Sequence, residues 1–159
     1  MNEELAEVAA STRLAELGIT LPAVPAPVAA YLPAVVSAGQ VFTAGQLPFV
    51  DGVLAETGKV GAEVSAERAN ELAAICALNA IAAVKSVVPL DSVVRVVKVV
   101  GFVASAPDFT GQPGVINGAS NLLLEAFGEA GAHARSAVGV AVLPLDAPVE
   151  VELIVEVAD

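Results

Sequence analysis

Residues 92–104, SVVRVVKVVGFVA, are too rich in β-branched side chains to be anything but a strand. Their valines fall on both parities, with Val94, Val96 and Val100 on one and Val93, Val97, Val99 and Val103 on the other. A sheet with one wet face alternates apolar and polar residues cleanly. This strand does not, so both faces of its sheet need cover.

The flanking segments supply cover for one face. Ser65 suits an N-cap, and Glu67 sits where it favours the helix dipole. The helix that follows runs to about Ser86 and buries Leu72, Ile75, Cys76, Leu78, Ile81 and Val84. A second helix over roughly 112–128 offers Val115, Ile116, Ala119, Leu122, Leu123 and Phe127 on one face. Ahead of these, AVVSAGQVFTAGQLPF reads as two short strands in a hairpin around Ser37-Ala38-Gly39, followed by a loop at Asp51-Gly52 and a short strand near Lys59 and Val60. Residues 19–33 carry four prolines and read as an extended arm. Residues 2–17 form an N-terminal helix with Leu5, Val8, Thr12 and Leu17 near one face, stopped by Gly18, and it is expected to pack on the outer helices. The result is an α+β chain: a helix over 1–18, then one domain over 19–159, with two helices on one face of a sheet. A second subunit is the natural cover for the other face.

Composition narrows the function. Mean hydropathy of +0.76 is high for a soluble monomer and favours buried surface between copies of the chain. The run AAICALNAIAAV (73–84) is about half of what a bilayer span needs, and the opening MNEELAEVAA lacks a basic leader, so the expected setting is cytoplasmic, without a membrane partner. A net charge of −11 with no Lys or Arg cluster argues against a nucleic-acid partner. A lone Cys76 and a lone His133 rule out a disulfide framework and suit a zinc site poorly. No metal or organic cofactor is expected.

The closing stretch HARSAVGVAVLPLDAPVEVELIVEV (133–157) carries the remaining information. Arg135 shares its parity with Ala137, Gly139 and Ala141, while Ser136, Val138, Val140 and Val142 share the other, expected to face the core. On the last strand Val149, Val151, Leu153, Val155 and Val157 oppose Glu150, Glu152 and Glu156. If the two strands form a hairpin turning near residue 146, Arg135 pairs near residue 157. Glu150 then lies on the order of 20 Å away at ~3.3 Å per residue. The two can work together only across a subunit boundary. Arg135 is either an ion pair with a glutamate such as Glu156 or an anchor for a small carboxylate, gripped through two parallel hydrogen bonds. The pattern leaves both open.

The run ARSAVGVAVLPLDAPVEVELIVEV resembles the C-terminal signature of the Rid (reactive intermediate deaminase, YjgF-like) family: an R-S pair, alternating valines, L-P, then V-E-[IV]-E. FTAGQLPF resembles that family's S-G-Q-[IL]-P strand, and Ala-Ala-Tyr31 its G-P-Y segment. ICALNAIAAVKSV resembles its first helix, and VVRVVKVVGFVAS its following strand. The likeness spans roughly residues 27–157, and the longer N-terminus resembles that of one subgroup. The resemblance implies a chorismate-mutase-like mixed sheet and a homotrimer with a central β-barrel, whose clefts lie between subunits. It implies that Arg135 grips a substrate carboxylate, Tyr31 lines the cleft, main chain at Gly45 binds ligand, and Glu150 orients the attacking water. The family's helical asparagine corresponds to Asn117 or Asn121. Departures are Ala44 for serine, Ala137 for cysteine, Gly139 for glutamate and His133 for proline. His133 is then either a pocket-rim or a surface-loop residue. The implied reaction is cofactor-independent hydrolysis of 2-imino acids or enamines to 2-keto acids and ammonia. The alternatives are a non-catalytic trimer that binds small carboxylates, or a structural trimer. The endoribonuclease label that the family also carries fits poorly with the charge.

Overall fold

The computed structural model describes residues 8–26 and 30–159. Leu5 and the rest of the first seven residues lie outside the described residues, as do 27–29 of the proline-rich arm. Helix α1 (Ala10–Glu16) leads into the arm, and the β1–β2 hairpin (Ala34–Ser37, Gln40–Thr43) follows. Next come a small hairpin, β3–β4 (Phe49–Val50, Val53–Leu54), helix α2 (Ala66–Lys85) and strand β5 (Val93–Ala104). Helix α3 (Gln112–Phe127) and strands β6 (Ala134–Val140) and β7 (Val149–Val157) complete the chain.

Local chemistry accounts for most of these boundaries. Both residues of the Ala38-Gly39 turn have positive φ, as a two-residue hairpin turn requires, and Asp51-Gly52 does the same between β3 and β4. Ser65 caps α2 by accepting from the backbone N–H of Arg68. The alanine-rich body of α2 then loses little side-chain entropy on becoming helical. Pro113 in the first turn of α3 has no N–H to lose there, and Gly128 with φ 60° closes the helix.

The main sheet has strand order β1-β2-β7-β5-β6. All pairs are antiparallel except β5 with β6, which are parallel. Helices α2 and α3 pack together and cover one face. Val149, Val151, Leu153 and Val155 of β7 are buried on that face, sharing one apolar core with Leu72, Ile81, Ile116 and Leu123 of the helices. Each such side chain contributes about 1.5–3 kcal/mol by leaving water. Two glycines let the layers approach. A methyl at Gly101 of β5 would run into Ile116 of α3, and one at Gly118 of α3 would press on the main chain of Asn70 in α2.

The structure corrects several sequence expectations. Strands β6 and β7 are not a hairpin; β5 lies between them, because α3 is the crossover that brings β6 back parallel to β5. The two parities of β5 come partly from bulges that shift its register on β7 between Val93 and Arg95 and between Val96 and Lys98. Val96 and Val99 are thereby both fully buried. The other face nevertheless leaves Val35, Phe42 and Val138 exposed, beside Glu150, Glu152 and Lys98. Residues 49–54 form a hairpin where a loop is expected, and Lys59-Val60 forms only isolated bridges. Ile75 and Leu78 are partly rather than fully buried. Helix α1 buries Ala10 and Leu14, while Val8, Thr12 and Leu17 stay exposed. It packs against α3, as expected, and Ser11 donates its N–H (2.9 Å) and its hydroxyl (2.6 Å) to Asp91. No helix among the described residues is long and apolar enough to cross a membrane.

Candidate functional site

Arg135 stands at the start of β6, an outer strand of the sheet, in register with Val99 of β5. Val99 in turn pairs with Leu153, and both are buried beneath the helices. The parity of Arg135, Ala137 and Gly139 therefore faces the helices, and Ser136, Val138 and Val140 lie on the open face. This reverses the expected assignment. Small residues follow the arginine because α3 comes close there: a methyl at Gly139 would meet Gln112 Nε2 at 2.8 Å.

The guanidinium reaches α3. Its Nη1 donates to Asn117 Oδ1 (2.8 Å) and to Ser120 Oγ (3.3 Å). Ser120 Oγ lies 2.9 Å from His133 Nε2, and His133 Nδ1 lies 2.6 Å from the carbonyl of Gly131. A carbonyl can only accept, so Nδ1 carries a proton, and in the neutral ring Nε2 accepts from the Ser120 hydroxyl. His133 thus lies half-buried in the connection just ahead of β6, with its ring hydrogen-bonded between Ser120 of α3 and Gly131. Of the two asparagines, Asn117 meets Arg135; Asn121, one turn further on, is exposed and has no side-chain hydrogen bond among the described residues. The ion pair with Glu156 does not form. Among the described residues no carboxylate lies within 4.0 Å of Arg135, whereas Arg68 holds two, Glu56 and Glu71, and Lys59 holds Asp146.

Glu150 belongs to a different cluster. It pairs with Phe102, which pairs with Val138, so it points to the open face of the sheet. Its carboxylate lies directly over Gly45, and a methyl there would come within 2.8 Å of Glu150 Cδ and nearer still to Oε1. The Gly45 loop is tied to β7 by reciprocal bonds between the main chains of Gln46 and Val151 (2.8 and 3.0 Å). The arm joins the same end, since Ala44 N–H donates to Pro33 O at 2.8 Å, two residues beyond the exposed Tyr31. Burial, and then the charge of Glu152, raises the Glu150 carboxyl above the ordinary glutamate range.

Within one chain the two clusters stay apart. Arg135 and Glu150 are three rows along and two strands across, on the order of 14 Å at ~3.3 Å per residue and ~4.8 Å per strand, and they face opposite sides. Cys76 is a core cysteine, as expected. It is fully buried, donates weakly to Val149 O (3.7 Å), and its thiol is raised well above the ordinary value by burial and then by Glu150. Sequence reasoning missed Ser120. It also missed Asn79, which donates to the carbonyls of Leu47 and Phe49 and pins the β3 strand to α2. The Asn79 interruption of an apolar helix face was the available signal; nothing in sequence marked Ser120.

Residues 11–157 match the family described as "YjgF/chorismate_mutase-like, putative endoribonuclease". The chain is 46% identical over 148 residues to Protein TCP17 of Trypanosoma cruzi, covering 92% of each. It is 32% identical to a solved structure from Shewanella oneidensis described as a "putative endoribonuclease", with TM-score 0.90 over 94% of this chain and 100% of that one. It is 27% identical to E. coli TdcF, solved with bound serine, with TM-score 0.55 over 84% of this chain and 93% of that one. This chain is a member of the YjgF/chorismate mutase-like family.

Proposed function

We propose that the chain hydrolyses 2-imino acids, or their enamine tautomers, to 2-keto acids and ammonia in clefts between subunits. The observation that carries this reading is the Arg135 guanidinium. In a chain of net charge −11 it has no carboxylate partner among the described residues, and only Nη1 is engaged. The Nε–Nη2 edge is then available for the two parallel bonds a carboxylate accepts. The serine bound to TdcF, a small amino acid bearing that group, supports the same chemistry in a relative.

The placement of the clusters supports an oligomer. Arg135 and Asn117 lie on the β6 flank, and Gly45 and Glu150, with the arm that carries Tyr31, lie toward the β1–β2 flank. A ring of subunits joined flank to flank completes each site from two chains, and a trimer that encloses the open sheet faces as a barrel also covers Val35, Phe42 and Val138. In that arrangement Arg135 holds the carboxylate, main chain at Gly45 orients the imine nitrogen, and Tyr31 lines the wall. Glu150, its carboxyl raised by burial and by the charge of Glu152, takes a proton from water as the oxygen adds to the iminium carbon. Glu150 passes that proton to the amino nitrogen, and the carbinolamine collapses to the keto acid as ammonia leaves and the hydroxyl proton is lost to Glu150 or water. The iminium carbon is already electrophilic, so positioning does most of the work. No cofactor enters these steps.

The test is Arg135→Ala assayed on 2-iminopropionate, generated in situ by an amino-acid oxidase and corrected for spontaneous hydrolysis. The expected result is loss of at least about a hundredfold in kcat/KM. Equal rates for variant and wild type reject the role. A second reading is favoured by the serine bound to TdcF: the cleft of this chain binds a small carboxylate without turnover. Glu150→Gln separates the two, because a pure binder keeps its affinity and has no catalysis to lose.

A further inference from the structure

We propose that Ser120 and His133 are positioning residues for Arg135, forming a hydrogen-bonded relay that fixes one edge of the guanidinium and presents the other. The inference rests on the reading of Arg135 as a carboxylate anchor. The relay is continuous: Gly131 C=O accepts from His133 Nδ1 (2.6 Å), His133 Nε2 accepts from Ser120 (2.9 Å), and Ser120 Oγ accepts from Arg135 Nη1 (3.3 Å). Asn117 Oδ1 takes the same Nη1 at 2.8 Å. Ser120 and Asn117 are three apart on α3, so they lie on one face of the helix and grip Nη1 together.

Both ends of the relay are rigid. A methyl at Gly131 would lie 2.7 Å from Leu123 C and 3.0 Å from Leu124 Cα, so this connection is seated on the main chain of α3. At the other end Gly118, between Asn117 and Ser120, is seated on the main chain of Asn70 in α2. A long arginine side chain on an outer strand would otherwise sample many rotamers, and a guanidinium fixed in advance binds without that loss. The relay also gives His133 a reason to be where a proline would leave nothing to hold Ser120.

The test uses full-length Ser120→Ala, His133→Phe, the double variant and Ser120→Thr, with 2-iminopropionate as substrate. Ser120→Ala and His133→Phe should each raise KM about five- to tenfold while kcat changes less than about twofold. The double variant should be no worse than either single one, since both cut the same chain. Ser120→Thr, which keeps the hydroxyl, should restore KM. A second measurement does not depend on turnover. Side-chain 15N NMR of wild type should show slow rotation about the Arg135 Nε–Cζ bond, and both single variants should average it. An inactive Arg135→Ala with unchanged KM in the Ser120 and His133 variants overturns the relay alone. Equal activity of Arg135→Ala and wild type overturns the anchor on which it rests. Unaltered guanidinium rotation in Ser120→Ala and His133→Phe overturns the relay whatever the activity.

Discussion

Gly45→Ala displaces Glu150 without removing any polar group, although the methyl sits on the residue whose main chain is proposed to orient the imine. The added methyl would stand 2.8 Å from Glu150 Cδ and 3.1 Å from Cγ. Non-bonded carbons settle at about 3.5–4.0 Å, and Oε1 lies nearer to the methyl than Cδ does, so the carboxylate must retreat by at least about 1 Å. The displaced group is the far end of a flexible side chain, and the main-chain bonds between Gln46 and Val151 need not move. Stability should therefore fall by less than about 1 kcal/mol, well below the 1–3 kcal/mol typical of overpacking a rigid core. Catalysis is less forgiving, since a misplacement of about 1 Å at the reacting centre costs about a hundredfold. The assay is kcat/KM on oxidase-generated 2-iminopropionate, paired with thermal melting of the same preparation. A variant that melts with wild type and retains kcat/KM within threefold would show that the position of Glu150 over Gly45 is irrelevant to turnover.

Other outcomes follow from the same geometry. Asn117→Ala removes an acceptor bonded to a charged group and should weaken substrate binding about tenfold in KM, while Asn121→Ala, exposed one turn away, should stay within twofold. Glu150 has a raised carboxyl in the fold, so its contribution to stability is present below the ordinary glutamate range and lost as pH rises through the folded value. Glu150→Gln should accordingly melt higher than wild type at pH 7 and together with it below about pH 4, with calorimetry as the measurement. A gain that persists at low pH would contradict the assigned cause. Gly118→Ala sets a methyl against the main chain of Asn70, where neither helix can yield cheaply. Its overpacking cost of about 1–3 kcal/mol outweighs the gain in helix propensity and, at about 2–4 °C per kcal/mol, should lower Tm by several degrees. An unchanged Tm would mean that α2 and α3 separate freely.

Period and punctuation made much of this fold legible. Ser65 announced α2, the valines of β7 announced a half-buried strand, and Ala38-Gly39 announced a hairpin, because caps, alternation and positive-φ turns are local chemistry. Asp51-Gly52 carried the same hairpin signal between Phe49-Val50 and Val53-Leu54, but two-residue strands are too short for alternation to show. The β6–β7 error has a different origin. Two consecutive strands invite pairing, yet α3 provides a crossover long enough to bring β6 back beside β5, and β7 takes the other edge of β5. Nothing within either strand distinguishes these arrangements.

By itself the sequence determined the two long helices and the main strands, that an arginine heads an apolar strand, and that a glutamate opens the last one, since residue type and spacing are properties of the chain. Only the tertiary structure decided that Arg135 turns toward α3 rather than the open face, that Asn117 and not Asn121 meets it, and that Ser120 and His133 stand behind it. Those outcomes depend on strand neighbours and on the close seating of α3 at Gly101 and Gly118. Both are set by packing among residues far apart in sequence, where a bulge or a strand exchange reverses the face a side chain occupies.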